Sequence, residues 1–216
     1  MQKNKKEIAF FASILAFVLL LGFNFLKSID IIISNKIRVL WSPLLNKFMI
    51  LITSISNLKT MLVLSALLLI ILIYRKKEKQ ALITLFALLI TAMAGELLKL
   101  IFHRTRPIPS LISAIGYSFP SIHSAISCLF FLLLIYYFKD DIKNLVLKKL
   151  FIFSSVLLFL LIGFSRIYLN VHWFSDVIAG FCMGAFMFYL LICLEPEKVK
   201  LSGPQKAKLF AEKEKI

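Results

Sequence analysis

The chain has 216 residues, 60% of them hydrophobic, with a mean hydropathy of +0.90 and a formal charge of +15. Soluble domains are about half apolar, so a water-soluble globular domain is excluded, and no Pro/Gly/Ser-rich linker or repeat divides the sequence. The charge does not signal nucleic acid, because the lysines cluster in short segments between apolar runs, where a membrane protein marks its cytoplasmic side and meets anionic headgroups.

We therefore expect one integral-membrane domain over 1–216, all-α and polytopic, with a charged cytoplasmic tail from about 195 to 216. Residues 8–26, behind Lys3, Lys5 and Lys6, form an apolar run long enough to cross the bilayer. The run is too long for a signal-peptide core and no small-x-small site follows, so it reads as an uncleaved first span. From 29 to 41, Ile29, Ile33, Ile37, Leu40 and Trp41 recur at helical spacing against Asp30, Ser34, Asn35 and Arg38. This amphipathic segment is expected to lie on the outer membrane face, with Pro43 ending it. The apolar piece 44–55 reads either as a second surface helix or as an early start of the next span.

The remaining spans are expected at 58–74, 81–102, 123–138, 150–165 and 172–194, which makes a six-helix bundle. Basic residues gather before the first span, in 75–79, in 139–149 and in the tail. By the positive-inside rule both termini and these connectors are expected to be cytoplasmic. Trp41, Tyr117, Tyr168 and Trp173 then fall at the outer interface, and Tyr74, Tyr136 and Tyr137 at the inner one. Cys128, Cys182 and Cys193 sit inside spans without metal or disulfide spacing and read as small apolar fillers.

Three segments at outward span ends carry the chemistry: Lys99-x6-Arg106-Pro107, Pro120-Ser121-Ile122-His123 and Ser165-Arg166-x5-His172-x3-Asp176. Of five arginines against 21 lysines, Arg104, Arg106 and Arg166 all fall here. The planar guanidinium matches oxyanions in a bidentate way that an ammonium cannot, so the ligand is expected to be a phosphate. His172 and Asp176, four apart, share a helix face, and the carboxylate can fix the imidazole tautomer while the other nitrogen acts as nucleophile. Ser121 can cap the helix that begins at His123, whose amides also favour an anion. With the phosphoryl group so held, attack by His172 and protonation of the leaving oxygen by His123 is a reaction driven by positioning and charge.

The three segments resemble the signature of the type 2 phosphatidic-acid phosphatase (lipid phosphate phosphatase) superfamily, and the span plan is similar to its small bacterial membrane branch. The resemblance implies a phosphohistidine on His172, orientation by Asp176, a general acid at His123, and phosphate contacts from Lys99, Arg106, Ser121, the 122 backbone position and Arg166. It implies no cofactor and no metal, and a lipid phosphomonoester or diphosphate as substrate: phosphatidylglycerophosphate, undecaprenyl diphosphate or phosphatidic acid. One position departs from the pattern, since Ile122 stands where the family has glycine; a helical φ and reduced activity are expected from it.

Blander readings stand beside this one. His172 and Asp176 can form a structural pair between spans, and Glu96 one turn before Lys99 reads first as an intrahelical ion pair. His103 reads as an interfacial loop residue, Arg104 as an outer cation or an extra phosphate contact, and Gly180-x3-Gly184 as a close-packing face within the bundle. The competing functions are a degenerate non-enzymatic protein that binds or moves lipid phosphates and a phosphotransferase.

Overall fold

The computed structural model describes residues 26–194. The expected first span and the charged tail lie outside the described residues. Within them the chain forms seven α-helices: α1 (Lys27–Arg38), α2 (Pro43–Ser54), α3 (Leu58–Tyr74), α4 (Glu78–Phe102), α5 (Ile122–Phe138), α6 (Leu145–Tyr168) and α7 (Phe174–Leu194). The protein is an all-helical, multi-pass membrane protein. Helices α4, α6 and α7 are each long and apolar enough to cross a bilayer, and α2 and α3 qualify together as one span bent by 44°. The ambiguous 44–55 piece thus forms a helix of its own, α2, which joins α3 across that bend. At the break, Ser56 and Thr60 hydroxyls donate to the carbonyls of Thr53 and Ser54, both at 3.0 Å, taking up backbone acceptors that the bend releases.

Helix α5 is the axis of the bundle, and it packs mainly on α7 and α6. It is apolar all round, as a buried helix should be, with Leu129, Phe130, Phe131 and Leu133 in a core shared with Leu68, Leu72, Ile162 and Leu191. At 17 residues it is ~25 Å long, less than the hydrocarbon thickness.

Glycines set how close α5 and α7 come. A Cβ on Gly180 would lie 2.4 Å from the Ser121 carbonyl oxygen, and one on Gly184 2.3 Å from that of Ala125. The Gly180-x3-Gly184 face is therefore an intramolecular packing surface, and it brings the start of α7 against the start of α5. Lys99 at the end of α4, the 103–121 loop, His123, Arg166 and His172 all come to this same end of the bundle, opposite the basic connectors at 75–79 and 139–149.

The expected amphipathic segment forms α1, but its burial does not follow the expected faces. Asp30 and Ser34 are buried and Asn35 is exposed, while Ile29 and Leu40 are exposed and Ile33, Ile37 and Trp41 are half-buried. Asp30 and Ser34 turn inward because they find buried partners there, Ser34 Oγ donating to Asn170 Oδ1 at 2.8 Å. Tyr168 also corrects the sequence reading: it is fully buried instead of lying at the interface, and its hydroxyl donates to Asn46 Oδ1 at 2.7 Å. Trp41, whose indole donates to the Tyr168 carbonyl at 2.9 Å, Leu45 and Met49 close this outer layer over Leu169 and Val171.

Candidate active site

The turn between α6 and α7 delivers the histidine. α6 ends with Leu169 N–H donating to Ser165 O at 2.9 Å and Asn170 N–H to Ile167 O at 3.0 Å, and Asn170 then takes a left-handed φ of 53°. Asparagine tolerates that region better than a branched or bulky residue. Its amide is locked on both sides, accepting from Ser34 and donating to the Pro109 carbonyl at 2.6 Å. Val171 and His172 amides reach back to the Arg166 carbonyl, so Arg166 and His172 are held to one another through the backbone.

His172 is 2% exposed. Its Nε2 lies 3.2 Å from Arg106 Nη1, and its Nδ1 lies 3.4 Å from Asp176 Oδ2. An arginine donor facing Nε2 requires that nitrogen to carry the lone pair, which leaves the proton on Nδ1, on the carboxylate side. The Nδ1 approach is long and poorly aimed, and it makes no hydrogen bond to the carboxylate. The expected imidazole–carboxylate hydrogen bond is thus present only as a close ionic approach. Burial first, then the positive charges of Arg166, Arg106 and Lys99, hold the imidazole well below the ordinary histidine range.

Asp176 has firmer partners elsewhere. Oδ2 accepts the Trp173 amide at 2.9 Å, so the carboxylate caps its own helix from the third position, and Oδ1 accepts Arg104 Nη1 at 2.7 Å. Arg104 Nη2 donates to Asp30 Oδ2 at 2.6 Å. Both carboxylates are fully buried, and Arg104 is the cation they share.

On the opposite wall Ser121 caps α5, accepting from Ser124 N–H at 3.4 Å and Ser124 Oγ at 2.9 Å, while its own N–H donates to the Asp176 carbonyl at 3.0 Å. That last bond ties the His123 and His172 segments together. His123 lies within electrostatic reach of Arg166, His172, Lys99 and Arg106. Ile122 is the first helical residue of α5 and is not among the residues of positive φ, as expected. Its side chain turns to α4, where a Cβ on Gly95 would sit 2.5 Å from Ile122 Cγ1. The isoleucine therefore fills a notch that a glycine on the neighbouring helix leaves open.

The cations divide by what they touch. Arg166 is 5% exposed, Nη1 donates to Thr53 Oγ1 at 2.7 Å, and Nε is buried with no partner among the described residues, an N–H suited to an oxyanion. Lys99 Nζ meets Glu96 Oε1 at 3.2 Å, the expected intrahelical pair. Arg106 is more heavily committed than expected: its donors serve the carbonyls of Ile115, Gly116, Tyr117 and Val171 besides His172 Nε2. In this arrangement it organises the loop and faces His172. His103 ends α4 with a left-handed φ of 46° and stacks edge-on against Tyr117 at 4.6 Å. A cavity of about 340 Å³ lies behind Arg104, lined by Lys27, Asp30, His103, Thr105 and Trp173, and neither His172 nor His123 lines it. Among the described residues no group of three or more His, Cys, Asp or Glu is placed to hold a metal.

A family model described as the PAP2 superfamily matches residues 80–200, more than half of the chain. The chain belongs to the PAP2 superfamily. It is accordingly a membrane-embedded, metal-independent phosphatase of the lipid phosphatase type. It is 28% identical over 200 residues to phosphatidylglycerophosphatase B of Bacillus subtilis (strain 168), which covers 90% of this chain and 97% of that protein. It is also similar to the crystal structure of a transmembrane PAP2-type phosphatidylglycerolphosphate phosphatase from Bacillus subtilis, with a TM-score of 0.77 and 28% identity over 93% of this chain and 98% of that one.

All the PAP2 signature residues read from the sequence come to one end of the bundle. Asp30, Ser34, Thr53 and Asn170 were missed. Only Asn170 had a signal, as an asparagine two residues before His172 in a turn that needs a left-handed residue. Arg104 was noticed as clustered arginine, and its role as the cation between Asp30 and Asp176 required the fold.

Proposed function

We propose that the protein hydrolyses the phosphomonoester of a phosphatidylglycerophosphate-like lipid at the outer face of the membrane, through a phosphohistidine on His172. The observation that carries this reading is the His172 imidazole, with Nε2 toward Arg106 and Nδ1 toward Asp176. The name of the 28%-identical relative supports the choice of lipid, and the basic connectors at the far end of the bundle support the outward orientation.

In the first step His172 Nε2 forms a bond to phosphorus as the phosphorus–oxygen bond to the lipid breaks, and His123 gives its proton to the departing oxygen. Arg166 Nε, Lys99 and the first-turn amides of α5 receive the phosphoryl oxygens, with Ser121 holding that turn in place. The Arg106 N–H that meets the Nε2 lone pair is within reach of an oxygen on a phosphorus bound there. In the second step water attacks phosphorus, His123 takes its proton, the nitrogen–phosphorus bond breaks and inorganic phosphate leaves. Asp176 stabilises the positive charge that the imidazole gains.

The test is phosphate release by purified, detergent-solubilised protein on phosphatidylglycerophosphate, phosphatidic acid and undecaprenyl diphosphate, with and without His172→Ala. The reading expects release fastest on phosphatidylglycerophosphate and absent from the variant. Retained release by His172→Ala overturns the mechanism, and faster release from undecaprenyl diphosphate overturns the choice of lipid.

A further inference from the structure

Asp30 belongs to none of the three signature segments, yet it is 1% exposed and its carboxylate makes three polar contacts. Oδ1 accepts the Ser175 amide at 2.9 Å; Oδ2 accepts Ser175 Oγ and Arg104 Nη2, both at 2.6 Å, the latter as an ion pair. Arg104 in turn donates through Nη1 to Ser175 Oγ at 2.6 Å and to Asp176 Oδ1 at 2.7 Å. Two buried carboxylates thus flank one guanidinium, with a net single negative charge on the Asp176 side of His172. On its other sides His172 is faced by Arg106 from the loop, Arg166 from α6, Lys99 from α4 and His123 from α5. Lys27 on the helix of Asp30, and His103 beside Arg104, line the cavity behind the set.

We propose that Asp30 is a positioning residue for His172, acting through Arg104 and Asp176. By taking half of the guanidinium, Asp30 leaves Asp176 with uncompensated negative charge to spend on the imidazole as it becomes positive and phosphorylated. Its geometry fixes Arg104 so that the Asp176 carboxylate stays between Arg104 and His172. Without the Asp30 charge, Arg104 neutralises Asp176 fully, and His172 becomes a weaker nucleophile while the lipid contacts are untouched. Electrostatic stabilisation of this kind is strong in a water-excluded site.

The inference rests on His172 as nucleophile, so the experiment first establishes His172-dependent phosphate release from phosphatidylglycerophosphate by the wild-type chain in detergent. Its absence defeats that reading, not this one. Given that activity, Asp30→Asn lowers kcat on the order of tenfold or more, the scale of a lost outer partner. KM stays within about twofold, and the acid limb of kcat/KM moves to lower pH, because removing a negative charge disfavours protonated His172. Ser34→Ala, which loosens the same helix face without changing charge, leaves the limb in place. Arg104→Gln and Asp30→Asn/Arg104→Gln have equal kcat, since Asp30 acts only through Arg104. The proposal is overturned if Asp30→Asn keeps the wild-type kcat and pH profile. It is also overturned if Asp30→Asn merely lowers the melting temperature as Ser34→Ala does with an unshifted limb, or if the double variant loses activity additively.

Discussion

The two walls of the active site are built by different physics. The His172 wall is held by polar contacts drawn from distant parts of the chain: Ser34 on Asn170, Thr53 on Arg166, and Asp30 through Arg104 on Asp176. The His123 wall is held by shape, with Gly180 and Gly184 letting α7 close on α5 and Ile122 seated over Gly95. Charge fixes His172, whose proposed role as nucleophile requires one tautomer and one orientation, whereas close packing fixes the first turn of α5. The difference predicts that the first wall fails through charge and the second through volume.

The contrast is sharpest at the two histidines. His172→Ala removes the atom that bonds to phosphorus, and phosphate release falls on the order of 10⁴-fold or more. His123→Ala removes a proton donor and costs about 10²- to 10⁴-fold, less for lipids with a more acidic leaving group. Steady-state phosphate release with the two variants side by side reads both losses; an equal and leaving-group-independent loss at His123 would show that it does not protonate the leaving oxygen.

Next in size is the shared cation. Arg104→Ala strands Asp30 and Asp176 as buried carboxylates without a partner, which costs about 3–5 kcal/mol of stability. On the packing wall, Gly184→Val drives a side chain into the Ala125 carbonyl and costs about 1–3 kcal/mol. Thermal unfolding in detergent at two pH values separates them. Lowering the pH protonates the stranded carboxylates and restores stability to Arg104→Ala, while the Gly184→Val loss is the same at both. A pH-independent loss at Arg104 would break the distinction between the walls.

The same division explains what could be read from the sequence. Lys99, Arg106, Ser121, His123, Arg166, His172 and Asp176 could be singled out because their residue types and spacings form a recognisable pattern, and the fold brings them to one end of the bundle. The helices from 58 onward were legible to within a few residues because lipid demands long apolar runs. Asp30 and Thr53 were not legible. An aspartate on the polar stripe of an amphipathic helix looks like any water-facing residue, and its partners lie 74 and 145 positions away in sequence, brought together only by packing. The burial of Asp30 on α1 follows from the same fact, since a buried charge is tolerated where a counter-charge awaits it. Arg106 was read as a phosphate ligand, and the carbonyls of its own loop, which engage it, carry no side-chain code.

A smaller effect concerns acidity. Because burial and the surrounding cations keep the His172 imidazole well below the ordinary histidine range, it is already neutral where a free histidine near pH 6.5 would be half charged. Activity should therefore persist as pH falls through that value and fade only once His172 itself takes a proton. A kcat/KM profile whose acid limb sits at or above the ordinary histidine range would contradict the cationic surroundings of the nucleophile wall.

The smallest effect is the most specific test of the packing wall. Ile122 occupies a position where the family has glycine, and its side chain lies where a Cβ on Gly95 would be. Ile122→Gly uncovers the first-turn amides of α5 and should raise turnover on a lipid phosphate a few-fold. It also empties the notch over Gly95 at a stability cost of about 1–3 kcal/mol. Gly95→Ala alone sets a methyl group against Ile122 and should lower the melting temperature, whereas Gly95→Ala with Ile122→Gly refills the space from the other helix and should recover part of the loss. If the double variant is no more stable than either single one, the two positions do not complement each other. If Ile122→Gly raises turnover on none of the three lipid phosphates, the side chain at 122 does not limit access to the amides, and the His123 wall tolerates a branched residue because shape alone, without the glycine's freedom, is enough to position the turn.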